Sequence, residues 1–377
     1  MKIKRFYHDL GSFLTPNKAL VIYGSRRAGK TTLLKDYLAG TPFKYKLDSG
    51  DNLKTRHILG SDDFDQIREY AAGYELIAID EAQRIPRVGQ GLKILVDQIP
   101  GIRIIATGSS SFELSGQVGE PLTGRKTTLS LFPVAQLELA SLYNRHELKE
   151  GLAEQLVFGS YPEVIVAPTP AKKSLLLEEL IHSYLLKDIL ELERVKGSKV
   201  LLDLLRLVAF QTGHEVSLSE LGSQVGLDTK TVARYLDLLE KSFVLFNLRG
   251  FNRNLRKEVT KKSKYYFVDN GIRNAVISNF NAVDIRNDMG SLWENFIVIE
   301  RLKRRTYGQI YANPYFWRTW DQKEIDLVEE RGGNLYAYEC KWGAKRMNSK
   351  NRQAWLEIYP DSETHVVSPE NYLNFVL

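Results

Sequence analysis

Short continuous apolar runs dominate the first third of the chain. Ala19-Leu20-Val21-Ile22-Tyr23, Leu76-Ile77-Ala78-Ile79 and Ile102-Arg103-Ile104-Ile105-Ala106 each end in small or charged residues. Runs of this kind predict strands buried on both faces, as in a parallel sheet, and the stretch from Thr31 to Leu38 has helical spacing between two of them. Further on the period changes. From Lys173 to Leu192, residues Leu175, Leu176, Leu180 and Tyr184 recur at helical spacing and predict a long amphipathic helix. Ser217 to Val225 reads as a short capped helix, Gly226-Leu227-Asp228 as a turn, and Thr229 to Lys241 as a second helix. In that second helix Val232, Tyr235, Leu236, Leu238 and Leu239 mark a buried face, with Lys230, Arg234 and Asp237 outward. Helix-turn-helix spacing followed by an apolar strand, Phe243 to Leu248, and a hairpin-like basic stretch predicts a winged helix. Near the C-terminus Glu324 to Val328 and Leu335 to Trp342 predict two strands joined by a turn that contains Gly332 and Gly333.

These elements predict an α/β chain in four parts. They are an α/β domain over 1–133, a helical lid over 134–212, a winged helix over 213–268 and a further α/β domain over 269–377.

The first apolar run feeds Gly24-Ser25-Arg26-Arg27-Ala28-Gly29-Lys30-Thr31, which fits G-x-x-x-x-G-K-[ST] in full. In such a loop the glycines let backbone N–H groups turn inward around phosphates, the lysine reaches the β/γ-phosphates and the hydroxyl holds Mg²⁺. The expected nucleotide-binding set is Gly24, Ser25, Arg26, Arg27, Ala28, Gly29, Lys30, Thr31 and Thr32, with ATP and Mg²⁺ as cofactors. The run at Leu76 closes on Asp80-Glu81. Asp80 is expected to join Thr31 at Mg²⁺, and Glu81 to polarise the attacking water, so hydrolysis is expected beyond binding. The third run ends in Thr107-Gly108-Ser109-Ser110. Ligands of open α/β sheets bind at the carboxyl ends of the strands, which makes Ser109 the expected sensor of phosphate state.

With these residues the chain resembles the AAA+-like P-loop ATPases of bacteria and archaea, and specifically a prokaryotic family that joins such an ATPase to a C-terminal domain of unknown function. GSRRAGKTTLL, IDEAQR (Ile79 to Arg84), ATGSSS (Ala106 to Ser111), LTGR (Leu122 to Arg125) and LFPV (Leu131 to Val134) carry the N-terminal part of the resemblance. FGSYPEV (Phe158 to Val164), YLLKDI (Tyr184 to Ile189) and YYFVDNGIRNAV (Tyr265 to Val276) extend it across nearly the whole chain. The resemblance implies a role for Arg125 as an arginine finger, in cis or supplied by a neighbouring copy, and with it a homo-oligomer.

Composition fits this frame. Hydrophobic content of 43% and charge of 26% are ordinary for a globular chain, and the single cysteine, Cys340, excludes an internal disulfide framework. The N-terminus leads into polar residues and the sequence has no run of eighteen apolar residues, so a cytoplasmic protein without a membrane partner is expected. The net charge of +6 is unevenly placed: Arg249, Arg253, Arg256, Lys257, Lys261, Lys262 and Lys264 stand against Glu258 alone. A basic wing beside a helix-turn-helix predicts DNA binding through Lys230, Arg234, Arg253, Arg256, Lys257, Lys261 and Lys262. Winged helices also serve as protein-contact modules, and a lysine run also forms a solvated loop.

The last third carries a second possible chemistry. Glu339 and Lys341 are two apart on a strand and face one way, with Asp326 across the hairpin. This looks like the PD-(D/E)xK nuclease fold. The resemblance implies Asp326 and Glu339 as Mg²⁺ ligands, Lys341 as the group that positions the nucleophile, and Glu294 as an added acidic ligand from the preceding helix. Tyr338 and Trp342, on the opposite face, are expected in the core. Two functions follow. One is an ATPase that binds and remodels duplex or branched DNA, with Mg²⁺-dependent cleavage by the C-terminal domain as an optional addition. The other is a regulatory ATPase switch whose C-terminal domains bind proteins and whose nuclease-like site is inactive.

Overall fold

The computed structural model describes residues 3–108, 121–181, 198–251, 263–343 and 347–377. Its contacts divide the chain into two compact units: residues 4–133 with 241–243, and residues 1–3, 134–240 and 244–377.

The N-terminal unit is built on five parallel strands, β1 (Lys18–Gly24), β2 (Tyr45–Ser49), β3 (Leu76–Asp80), β4 (Arg103–Gly108) and β5 (Lys126–Leu131), in the order β2-β3-β4-β1-β5. Helix α1 (Lys30–Gly40) leaves the loop after β1; α2 (Leu53–Leu59) and α3 (Phe64–Ala71) lie between β2 and β3, and α4 (Val88–Gln98) between β3 and β4. The apolar runs of the sequence are the central strands, and they are buried on both faces: Ala19 to Ile22, Leu76 to Ile79 and Ile104 to Ala106 are at most 1% exposed. Alternate side chains, Ala19, Val21, Ile77, Ile79, Ile104 and Ala106, share one cluster with Ile67 of α3 and Leu92 and Leu95 of α4.

The strand order has a functional consequence that the sequence alone does not reveal. β4 lies between β1 and β3, so its C-terminal tip stands between the phosphate loop and the Asp80-Glu81 pair.

The second unit holds α5 (Leu152–Phe158), α6 (Pro170–Glu179), α7 (Ser198–Phe210), α8 (Leu218–Val225), α9 (Thr229–Lys241), α10 (Asn270–Val276), α11 (Met289–Tyr307), α12 (Ser349–Ile358) and α13 (Tyr372–Val376), with shorter helices among them. Its strands are β6 (Leu245–Gly250), β7 (Ser263–Phe267), β8 (Asn313–Arg318), β9 (Glu324–Arg331), β10 (Asn334–Cys340) and β11 (Glu363–Val367), in the order β11-β10-β9-β8-β6-β7. Helix α11 covers one face of this sheet, through Leu292, Trp293 and Phe296 against Tyr266, Leu327 and Tyr338. Trp355 of α12 covers the other, against Trp317, Ile325 and Ala337.

Two expectations of organisation change here. The segment 134–212, expected as a lid on the ATPase domain, has its core in the second unit: Val157, Leu177, Leu204 and Leu205 share a cluster with Leu236, Leu239 and Phe267. The hairpin of β6 and β7, assigned to the part ending at residue 268, continues through β8 into the C-terminal sheet. Backbone hydrogen bonding carries the sheet across that boundary.

Helices α8 and α9 form where the pattern placed them. Ser217 accepts from the Glu220 amide at 3.3 Å, Gly226 ends α8 in the left-handed region at φ 70°, and Asp228 accepts from the Lys230 and Thr231 amides at 2.9 Å. Val232, Tyr235, Leu236, Leu238 and Leu239 are buried, whereas Lys230 and Arg234 are exposed. Among the described residues no helix is long and apolar enough to cross a membrane.

Candidate functional site

The loop after β1 is shaped by close approach. A Cβ on Gly24 would fall 2.0 Å from the Leu131 carbonyl oxygen of β5, and Gly29 has φ 97°. Only glycine fits the first position, and the second has a conformation that L side chains rarely adopt. Lys30, 5% exposed, donates from Nζ to the Gly24 and Ser25 carbonyls at 2.8 Å each, so its ammonium is held inside the curve of the loop.

Thr31 is the second residue of α1, and its Oγ1 donates to Asp80 Oδ2 at 2.8 Å. The other carboxylate oxygen, Oδ1, accepts from the Thr107 hydroxyl. Thr107 is fully buried near the tip of β4, and its oxygen also accepts from the Glu81 amide at 3.3 Å. Glu81 itself has φ 50°, a strained conformation for a non-glycine residue, and its Oε2 accepts from Gln83 Nε2 at 2.6 Å. Thr31, Asp80, Thr107 and Glu81 thus form one connected network at the carboxyl ends of β1, β3 and β4.

This arrangement fits a nucleotide with its divalent ion. A hydroxyl and a carboxylate already in contact are a hard-oxygen pair of the kind Mg²⁺ takes, so Thr31 and Asp80 would hold it, while Lys30 and the loop amides would take the phosphates. The bound ion would neutralise phosphate charge. Glu81, its carboxylate fixed by Gln83 and its amide held by Thr107, would be free to orient and polarise a water.

Thr107 and Gln83 stand outside the two motifs. Thr107 lies in the segment expected to face the phosphate, and its position as the last buried polar side chain of β4 was the available signal. Ser109, the expected sensor of phosphate state, lies outside the described residues. Arg125 lies at the far end of the sheet. It precedes Lys126, which pairs with Ala19 near the start of β1, and it donates to Asp97 Oδ1 at 2.7 Å. A seven-residue strand spans roughly 20 Å, so Arg125 does not reach the phosphate loop of its own chain. The cis alternative is thereby excluded.

The C-terminal residues assemble differently from expectation. Glu339 and Lys341 do share a face, and their side chains pair at 2.7 Å. That face is the one carrying Leu335 and Ala337 toward α12, whereas Glu294 approaches from α11 on the opposite side. Asp326 lies at an irregularity of β9. Tyr315 pairs with Val328 and Trp317 with Ile325, so β9 carries one extra residue there. The Asp326 Oδ2 accepts from the Cys340 amide at 2.8 Å.

Lys264 of β7 decides the electrostatics. Fully buried, it pairs with Glu324 and with Glu294 at 3.4 Å, and the Tyr266 hydroxyl donates to Glu294 at 2.6 Å. Burial pulls the Lys264 pKa down, but Glu294, Glu324 and Asp326 outweigh it and hold the ammonium above the usual lysine range. Burial, aided by Glu294, pushes the Asp326 carboxyl up against the pull of Lys264 and Lys341. Burial likewise raises Glu339. Among the described residues no three His, Cys, Asp or Glu side chains are grouped to hold a metal ion. Glu294, Asp326 and Glu339 are therefore not grouped as the expected Mg²⁺ set: Lys264 pairs with Glu294, Lys341 pairs with Glu339, and Asp326 lies within electrostatic reach of both lysines. The described residues, paired in this way, do not fit a second metal. Tyr338 and Trp342 pack in the core: Tyr338 lies 4.5 Å from the Phe375 ring and Trp342 lies 5.6 Å from the Trp293 ring.

Of the basic residues expected at DNA, Lys230 and Arg234 are on the exposed face of α9, while Arg253, Arg256, Lys257, Lys261 and Lys262 lie outside the described residues. Lys264, counted in that basic stretch, is turned inward.

The parallel sheet and the network at its carboxyl edge define the N-terminal unit as a P-loop ATPase domain. Residues 16–140 match the family model of the AAA domain, residues 149–283 a domain of unknown function, DUF8612, and residues 289–373 another, DUF4143. The chain therefore joins an AAA domain to a C-terminal DUF4143 domain. It is similar to an uncharacterized protein of Mycobacterium tuberculosis, 28% identical over 327 residues, covering 85% of this chain and 70% of that protein. An uncharacterized protein of Haemophilus influenzae is 26% identical over 356 residues, covering 88% and 84%. Among solved structures, a Signal Transduction ATPase with Numerous Domains (STAND) protein with a tetratricopeptide repeat sensor, from Pyrococcus horikoshii, is similar at 14% identity and a TM-score of 0.28. That match covers 76% of this chain and only 43% of the STAND protein, and at that score it carries no argument.

Proposed function

We propose that this protein hydrolyses ATP with Mg²⁺ and couples hydrolysis to DNA held by a winged helix formed from α8, α9, β6 and β7. The observation that carries the ATPase reading is the Asp80 carboxylate, held by Thr31 on one oxygen and by Thr107 on the other, with Glu81 next to it. The DNA reading rests on the exposed Lys230 and Arg234 of α9 together with the basic excess from Arg249 to Lys262. In this reading α9 enters the major groove and the hairpin contacts phosphates, so affinity falls as salt rises.

For the C-terminal domain the reading without cleavage is favoured, because two of the carboxylates a metal would need are already paired, Glu294 with Lys264 and Glu339 with Lys341. The Asp326, Glu339 and Lys341 trio then serves the fold. The location of Arg125 leaves a neighbouring copy as the recipient of any arginine finger, which makes a homo-oligomer part of the proposal.

ATPase rates measured with linear, forked and four-way DNA, with cleavage products read from the same reactions, test these readings together. Hydrolysis that rises with DNA, and that falls back when Lys230→Glu and Arg234→Glu are combined, supports the DNA reading. Rates indifferent to every DNA, with no salt-dependent binding, overturn it in favour of a switch that acts on proteins. Mg²⁺-dependent products lost in Lys341→Ala overturn the reading without cleavage.

A further inference from the structure

At the C-terminal end of α11 three guanidinium groups surround one carboxylate, and a fourth lies close by. Arg301 grips Glu329 through two hydrogen bonds of 2.8 Å, Arg305 lies 3.7 Å from it and Arg331 4.0 Å, and Glu329 is fully buried. Arg304 is the fourth guanidinium: it feels the charge of Glu329 but makes no ion pair with it. A cavity of about 440 Å³ opens beside them, lined by Arg301, Arg304, Arg331, Tyr338, His365 and Asn371 among others.

The charges here do not balance. Arg304 Nε and Nη1 and Arg331 Nε are buried atoms without a hydrogen-bond partner in the structure. Buried donors of a charged group left unpaired are costly, and like charges gathered around a cavity repel. The carboxylate on the cavity wall, Glu363, is exposed and is 3.2 Å from His365. The aromatic rings are already in use: Arg331 lies over Tyr336 at 3.9 Å, Arg301 over Phe375 at 4.4 Å, and His365 stacks on Tyr338. These contacts fix the guanidinium planes and leave the cavity itself for a ligand that accepts hydrogen bonds and carries negative charge. The volume suits a small molecule.

We propose that this cavity binds a small phosphorylated molecule, with its phosphate oxygens taken by Arg304 and Arg331. Guanidinium forks match phosphate oxygens in pairs, and a dianion supplies the charge that Glu329 alone does not. The site is built wholly within the C-terminal sheet and its helices and is independent of the ATPase reading.

The test uses the full-length Lys30→Ala protein, in which the phosphate loop is disabled, and titrates inorganic phosphate, pyrophosphate and a short single-stranded oligonucleotide by calorimetry. Saturable binding of phosphate or pyrophosphate is expected, weakened at least ~10-fold when Arg304→Gln is added, as loss of a charge-assisted hydrogen bond implies. Arg304→Lys is expected to recover part of that loss. Thermal unfolding without ligand checks the fold; if Arg304→Gln lowers the midpoint, Arg331→Gln is read in its place. No saturable binding by Lys30→Ala, binding unchanged by both arginine substitutions, or binding of the oligonucleotide alone would each overturn the proposal.

Discussion

The Thr31 hydroxyl lies 2.8 Å from an Asp80 carboxylate oxygen, although 49 residues separate them. The contact joins the start of α1 to the end of β3 and sets a hydroxyl and a carboxylate at the one point where both can share a divalent ion. Thr107, reaching Asp80 from β4, holds the carboxylate from its other side. Thr107→Val should therefore leave nucleotide affinity within ~3-fold and lower kcat by roughly 10- to 100-fold, because it frees Asp80 and the Glu81 amide together. Steady-state hydrolysis beside a nucleotide-binding titration separates the two effects, and an unchanged kcat would remove Thr107 from the network.

For Glu81 the expected effect is larger. Glu81→Gln keeps the shape and hydrogen-bonding capacity of the side chain but removes its basicity, so ATP should still bind while turnover drops by at least ~100-fold. Gln83→Ala should cost less, because it only releases the Glu81 carboxylate from its 2.6 Å partner. Equal turnover in Glu81→Gln and wild type, measured by phosphate release, would reassign the base.

Arg125 gives a test of assembly. If a neighbouring copy receives it, Arg125→Ala and Lys30→Ala should each be inactive alone, with losses on the order of 10³ in kcat, and mixing the two should restore part of the activity. Mixed samples without recovered hydrolysis would return Arg125 to a plain surface pair with Asp97.

Lys264 stands where a cation would stand among Glu294, Glu324 and Asp326. Removing it as Lys264→Ala should destabilise the fold by about 3–5 kcal/mol, since the carboxylates lose their buried partner. Mg²⁺ should raise the unfolding midpoint of that variant and leave wild type almost unchanged. An equal Mg²⁺ shift in both proteins would show that the ammonium does not hold the cation's place.

Acid should act through Asp288, which precedes α11. Burial alone would raise its pKa, but Arg286, at 2.8 Å to both oxygens, and Arg273 outweigh it and bring it down to about 2. A depressed carboxyl stabilises the fold above its unfolded value near ~4 and loses that contribution as pH falls toward 2. Asp288→Asn should cost about 2 kcal/mol at pH 7 and almost nothing near pH 2. Denaturant unfolding at several pH values reads the difference, and a pH-independent gap would exclude the linkage.

The legible parts of this protein are those written in local pattern. The buried β1, β3 and β4 follow from continuous apolar runs, the phosphate loop from glycines whose Cβ has no room, and the two helices α8 and α9 from a cap, a turn glycine and an apolar stripe. The C-terminal hairpin was legible as well, with Gly332 and Gly333 at its turn, both at positive φ. The geometry of its charged residues was not. Simple alternation places Asp326 opposite Glu339 and Lys341, but the extra residue of β9 and the arrival of Glu294 from the other face depend on how strands and helix pack.

The sequence by itself determined the strand that carries the phosphate loop, the carboxylate pair at the end of β3, and the faces of α8 and α9, because each rests on spacing between near neighbours. Only the tertiary structure decided that β4 stands between β1 and β3, which brings Thr107 to Asp80. It also moved Arg125 to the far edge of the sheet, turned Lys264 inward onto the carboxylates, and left Arg304 on a cavity wall with two of its donors unpaired. Strand order and side-chain pairing across long separations come from packing the whole sheet, and no local period along the chain encodes them.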